Sequence, residues 1–162
     1  MIEKSPMTVQ SHKFSQEELK RLKQIERPAA SKAIEIARAH GDLSENAEYD
    51  AAKEAQGMLE ARIRDLETKL ATAQVVDIEK LSGEKVIFGA TVTISDVDSG
   101  DEKVLTIVGE DQADAEKGLI SFKSPLARGL IGKSIDDIAE VRLPGGKKEY
   151  EILEVKFIVP KA

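Results

Sequence analysis

Seven positions constrain this chain more than any others. Ala52, Gln56, Leu59, Ile63, Leu66, Leu70 and Ala73 follow one another in alternating steps of four and three, with only Gln56 polar. That rhythm is the seam of a coiled coil, and a helix carrying it must lay the seam against a second helix. The partner is written upstream, where Leu22, Ala29 and Ile36 recur every seven residues and Leu19, Ile25 and Ala33 fill nearby positions. Between the two patterns stands Gly41-Asp42. Glycine takes the left-handed conformation that stops a helix, and aspartate accepts hydrogen bonds from the free N–H groups that open the next one. Both residues disfavour one continuous helix and hence an intermolecular coiled coil. The expectation is an antiparallel hairpin within one chain. A second arm from about Glu45 to about Val76 would be a rod of roughly 45 Å, at ~1.5 Å rise per residue.

Local signals refine the arms. Residues 1–14 read as an irregular lead-in, and Ser15-Gln16-Glu17-Glu18 has capping-box spacing for the start of the first helix. Pro28 removes an N–H and crowds the carbonyl four residues back, which predicts a kink or break near Arg27. At the reversal, Asp42 and Glu45 fall three apart and share one side of the turn. Two readings fit them: a capping arrangement at the positive end of a helix, or a carboxylate pair held at the end of a thin probe for delivery into another molecule's site.

The chain is 162 residues long, enough for two small domains with modest cores. No apolar run is long enough to cross a bilayer and Met1 to Gln10 lacks the apolar core of a signal peptide, so the expectation is a soluble cytoplasmic protein without membrane contact. With no cysteine, disulfides, thiolate metal sites and thiol nucleophiles are excluded. His12 and His40 are too few for a histidine-rich metal site. The net charge of −6 argues against a general nucleic-acid coat, yet its distribution is uneven. Positions 42–54 carry Asp42, Glu45, Glu48, Asp50 and Glu54 against Lys53 alone, whereas the first arm leans basic. Local contact with a phosphate chain stays open.

From Val75 the periodicity changes. Lys80 to Glu84 reads as a linker, and beyond it 86–94, 103–108, 119–122, 139–143 and 148–159 alternate as strands rich in β-branched residues. Ser124-Pro125 opens a short helix stopped by a glycine, and Pro144-Gly145-Gly146 is a hairpin turn. The sequence therefore predicts an α+β protein with a helical hairpin over 1–80 and a compact antiparallel sheet domain with one short helix over 81–162.

Five motifs in order carry a resemblance: the tip Gly41 to Glu54, Arg27-Pro28, Arg62-Ile63 in the second arm, Val86-Ile87-Phe88-Gly89-Ala90-Thr91-Val92, and Ser124-Pro125-Leu126-Ala127-Arg128-Gly129-Leu130-Ile131-Gly132-Lys133. From Pro6 to Phe157 the chain resembles the Gre family of bacterial transcription elongation factors. The chain departs from the family's usual residues early, at Ser11, Phe14 and Ser15, which bears on the start of the first helix and not on the tip. The resemblance implies an N-terminal coiled-coil hairpin and a C-terminal domain of FKBP-like fold. It implies a partner, RNA polymerase, whose secondary channel receives the hairpin, and a contact with the 3′ end of nascent RNA.

The implied activity is stimulation of the polymerase's own cleavage of backtracked transcript, so the chain is a cofactor protein and not itself an enzyme, acting as a monomer. The family's acidic pair falls on Asp42 and Glu45, which are expected to share a Mg²⁺ with the polymerase active centre, Asp42 in closer contact. Mg²⁺ takes hard oxygen donors and is often held by only one or two carboxylates. Arg38 and Lys53 fall on the family's RNA-contacting basic patch; Ser44, Asn46 and Tyr49 belong to the tip; Ser124 and Pro125 fall on the polymerase-docking loop. The residues also admit a channel-binding inhibitor, a coiled-coil adaptor or a prolyl isomerase. The intact Asp42 and Glu45 argue against the inhibitor, and a 4% aromatic content without tryptophan gives an isomerase pocket little floor.

Overall fold

The computed structural model describes residues 4–41 and 46–158. The chain divides into two compact units, one of Met1–Lys4 with His12–Ala73 and the other of Ser5–Ser11 with Gln74–Ala162.

The first unit is the hairpin. Helix α1 spans Val9–Arg21, a π-helical turn spans Leu22–Glu26, α2 spans Arg27–Arg38 and α3 spans Ala47–Ala71. At ~1.5 Å per residue α3 is a rod of roughly 37 Å. Its expected seam positions from Ala52 to Leu70 are all buried or half-buried, with Ile63 the most enclosed, whereas Ala73 lies beyond the helix in a strand.

The first arm departs from its heptad reading. Leu22 is buried, but Ile25 is 61% exposed, Ile36 is 52% exposed and Ala29 is also outward, while Ala30 and Ile34 are half-buried and Ala37 is buried. The cause is the π turn, in which the Arg27 N–H donates to the Leu22 carbonyl five residues back. Such a turn holds one residue more than an α turn, so everything after it is rotated by the ~100° that one residue contributes. The seam moves from Ala29 and Ile36 to Ala30 and Ala37. Pro28 follows directly on the π turn, in a helix that runs through Glu26 and Arg27 without a break. Having no N–H to donate and a ring that would crowd the carbonyl four residues back, it is accommodated by the wider turn. The expected disturbance near Arg27 is thus a π turn, and the helix continues.

The start of the first helix also differs from expectation. Residues 5–8 are not irregular: β1 (Ser5–Thr8) pairs with β2 (Ala73–Val76), and α1 begins at Val9. Thr8 supplies the cap, its Oγ1 accepting from the Ser11 N–H at 3.1 Å and donating to Gln112 Oε1 at 2.9 Å. Ser15 instead lies within the helix, buried.

In the second unit five strands follow: β3 (Thr91–Asp96), β4 (Glu102–Val108), β5 (Leu119–Ser121), β6 (Ile138–Leu143) and β7 (Gly146–Lys156), in spatial order β5-β4-β3-β7-β6. The expected antiparallel pairing holds except at β5, which runs parallel to β4, so the sheet is mixed. The strand expected over 86–94 begins only at Thr91. Leu143 pairs with Gly146 across the Pro144-Gly145 turn. A bulge at Leu153 shifts the pairing of β3 with β7, so the inward set in β7 changes phase from Tyr150 and Ile152 to Val155. Helix α4 (Pro125–Leu130) packs on β6, and Gly129 allows the approach: a Cβ there would lie 2.8 Å from Val141 Cγ2. The core collects Val86, Val92, Ile94, Ile107, Leu130, Val141 and Ile152.

Candidate functional site

The hairpin end is built by three residues. Helix α2 stops as Gly41 takes φ 108°, the left-handed turn its sequence predicts. Helix α3 is opened by Asn46, whose Oδ1 accepts from the Tyr49 N–H at 3.0 Å. This corrects the capping expectation for Asp42: Asn46 is the N-cap, and α3 runs from Ala47 to Ala71, not from Glu45 to Val76. The same amide donates from Nδ2 to the Ala37 carbonyl at 2.6 Å. One side chain therefore satisfies an orphan N–H at the start of α3 and adds a second bond to the Ala37 carbonyl, which also accepts from the His40 N–H at 3.2 Å. Nothing in the sequence pattern signalled this link.

Tyr49, half-buried, gathers the basic residues. The Arg38 guanidinium lies 6.0 Å and the Lys53 ammonium 5.5 Å from its ring centroid. Arg38 comes from α2 and Lys53 from α3, so both expected RNA-contact residues meet on one ring. A hydrogen bond from Arg38, reinforced by the charge of Lys53, holds the Tyr49 phenol below its ordinary value against a smaller opposing effect of burial. His40 Nδ1 stands 3.5 Å from the Glu48 carboxylate. Asp42, Ser44 and Glu45 lie outside the described residues. Among the described residues no group of three or more His, Asp or Glu stands close enough to hold a metal.

Away from the end, the arms are bound by ion pairs. Arg27 meets Glu60 through two nitrogens at 2.8 and 2.9 Å, Lys23 meets Glu67 at 3.3 Å, and Arg62 meets Glu18 at 3.3 Å. Arg38 and Lys53 form no ion pair among the described residues.

In the second unit Ser124 caps α4. Its Oγ accepts from the Ala127 N–H at 3.3 Å and donates to the Ser121 carbonyl at 2.7 Å, while Pro125, exposed, takes the first helical position. The cap accounts for Ser124 structurally and leaves the Pro125 ring at the surface.

Residues 5–75 match the family model described as transcription elongation factor, N-terminal, and residues 81–157 match transcription elongation factor, GreA/GreB, C-term. The chain is 58% identical over 154 residues to transcription elongation factor GreA of Maricaulis maris, covering 95% of this chain and 98% of that one. It is 55% identical over 157 residues to GreA of Phenylobacterium zucineum, covering 97% and 100%. Among solved structures, GreA factor homolog 1 of Thermus thermophilus aligns at 25% identity and a TM-score of 0.44, covering 94% and 98%. Matched by family in both halves, and identical to the Maricaulis and Phenylobacterium relatives at more than half of the aligned positions, the chain belongs to the GreA/GreB family of transcription elongation factors.

Proposed function

We propose that this chain enters the secondary channel of RNA polymerase hairpin end first and stimulates the polymerase's own cleavage of backtracked RNA, freeing a new 3′ end. The observation that carries the reading is the hairpin end itself, where Asn46 ties α2 to α3 and two cations share the Tyr49 ring. In the sequence, Asp42 and Glu45 stand between the two described ends of that reversal, Gly41 and Asn46.

Their carboxylates are the donor class that Mg²⁺ takes, and two alone leave most of its shell to other ligands. Asp42 and Glu45 would hold such an ion jointly with polymerase and phosphate oxygens, Asp42 more closely. When bound, it supplies charge stabilisation at the scissile phosphate and an activated water. The chain's own residues do the rest. Arg38 and Lys53 hold the phosphate backbone near the RNA 3′ end. Asn46 and Tyr49 fix the spacing of the arms with Ser44 as their neighbour at the tip, and the Ser124-Pro125 corner docks on the polymerase. The chain is then a monomeric cytoplasmic cofactor protein, and the hydrolytic centre belongs to the polymerase.

The test is transcript cleavage in halted, backtracked polymerase complexes with Mg²⁺, comparing wild type with Asp42→Asn while scoring polymerase binding. Asparagine keeps the size of the side chain and removes its charge. Cleavage stimulated by the wild type and lost in a variant that still binds supports the reading. Binding by both without cleavage by either points to a channel-blocking inhibitor, and no binding by either points to an adaptor.

A further inference from the structure

Several cations described along the two arms have a carboxylate partner across or along the hairpin: Arg21 with Glu18 and Glu26, Lys23 with Glu67, Arg27 with Glu60, Arg62 with Glu18. At the hairpin end Arg38 and Lys53, both exposed and without an ion pair among the described residues, lie against the ring of Tyr49. A carboxylate partner would neutralise each cation; an aromatic face attracts it through the ring quadrupole and leaves its charge intact for an anion. The ring also restrains two long side chains that would otherwise repel each other and sample many rotamers. Arg38 reaches the ring only because the π turn at Leu22–Glu26 rotates α2; in an uninterrupted α-helix its side chain would point ~100° away.

We propose that Tyr49 is a positioning residue that gathers the Arg38 guanidinium from one arm and the Lys53 ammonium from the other into a single two-pronged site for the RNA phosphate backbone. This rests on the function proposed above. Tyr49 need not touch the RNA; it fixes where the two charges stand. The ring draws both cations, and its hydroxyl, which accepts from Arg38, adds to the hold on that arm.

The experiment compares wild type, Tyr49→Phe and Tyr49→Leu in the backtracked-complex assay over a range of factor concentrations. Tyr49→Phe, which keeps the ring and loses the oxygen that accepts from Arg38, is expected to fall between wild type and Tyr49→Leu, about two- to fourfold below wild type. Tyr49→Leu should lower the cleavage rate at saturating factor by about 5- to 30-fold, the loss of two cation–ring contacts, while its half-saturating concentration moves less than about twofold. In an Arg38→Gln, Lys53→Gln background the same Leu substitution should add nearly nothing.

The inference is overturned if Tyr49→Leu cleaves like wild type, if Tyr49→Phe is as defective as Tyr49→Leu, or if the Leu defect is undiminished in the double-Gln background, which would mark a role in packing alone. Should Tyr49→Leu melt well below wild type, the cycle is run with Tyr49→Met, whose flexible apolar side chain fills the ring's volume. A wild type that stimulates no cleavage overturns the functional reading itself, an outcome distinct from any of these.

Discussion

Arg27 grips Glu60 with two parallel bonds, Nε to Oε1 at 2.8 Å and Nη2 to Oε2 at 2.9 Å, joining the start of α2 to the middle of α3. Arg27 is also the residue whose N–H closes the π turn, so the pair fixes α2 at the point where its rotation is set. The bonds from Arg27 hold the Glu60 carboxyl below its ordinary value of 4.5, and bonds from Arg21 do the same for Glu18. A carboxylate whose folded value is depressed contributes its stability in full above 4.5 and loses it as pH falls through the lower folded value. Acid should therefore weaken the hairpin below about pH 4.5. Glu60→Gln should lower the neutral-pH melting midpoint by about 1–3 °C and flatten the acid slope, as followed by circular dichroism of the helical signal.

The rotation of α2 makes neighbours behave oppositely. Ala37 is 3% exposed and Ile36 is 52% exposed, although Ile36 is the residue on the sequence heptad. Ala37→Glu should cost about 2–4 kcal/mol by forcing a charge into the seam, whereas Ile36→Glu should stay within about 0.5 kcal/mol of wild type. Denaturant unfolding of the two variants checks this. A reversed order would mean the first arm keeps the uninterrupted heptad in solution.

Asn46 makes two bonds that substitution can separate. Asn46→Ala removes both and should cost about 1–2 kcal/mol. Asn46→Asp keeps the acceptor for the Tyr49 N–H but loses the donor to the Ala37 carbonyl, and should cost about 1 kcal/mol. Hydrogen exchange distinguishes them: the Tyr49 amide should lose protection in Asn46→Ala and keep it in Asn46→Asp.

In the sheet unit, a Cβ at Gly129 would also lie 3.2 Å from the Glu140 carbonyl besides crowding Val141. Gly129→Ala should push α4 off β6 and lower stability by about 1–3 kcal/mol, read from the unfolding of this unit.

The second arm was legible in the sequence because the seam residues from Ala52 to Leu70 keep one helical phase, and phase is what a pattern of apolar spacings encodes; Ala73, the last of the expected set, opens β2 instead. In the first arm a heptad reading assumes an unbroken α-helix, so it selected Ala29 and Ile36 in place of Ala30 and Ala37. Pro28 marked the locality of the break but not its form. Strand β1 carries no readable signal because Ser5-Pro6-Met7-Thr8 is short, contains a proline and finds its partner only at Ala73–Val76. Strand β5, with three residues, carries no periodicity from which its parallel direction could be read. At the hairpin end, the residue types Arg38, Tyr49, Lys53 and Asn46 were all singled out. What spacing could not supply was that one ring receives both cations, or that Asn46 rather than Asp42 caps α3, because both depend on how two separate helices meet.

The five residues from Leu22 to Glu26 have a consequence for how this gene can vary. Since that turn stores one residue beyond an α turn, loss of a single codon there would leave Ala30, Ala37 and Arg38 facing as they do now. Loss of a codon elsewhere in α2 or α3 would turn every later side chain in that helix by ~100° relative to the other arm. The hairpin thus has a built-in slot for an in-frame deletion, and natural length variation in the first arm should gather there.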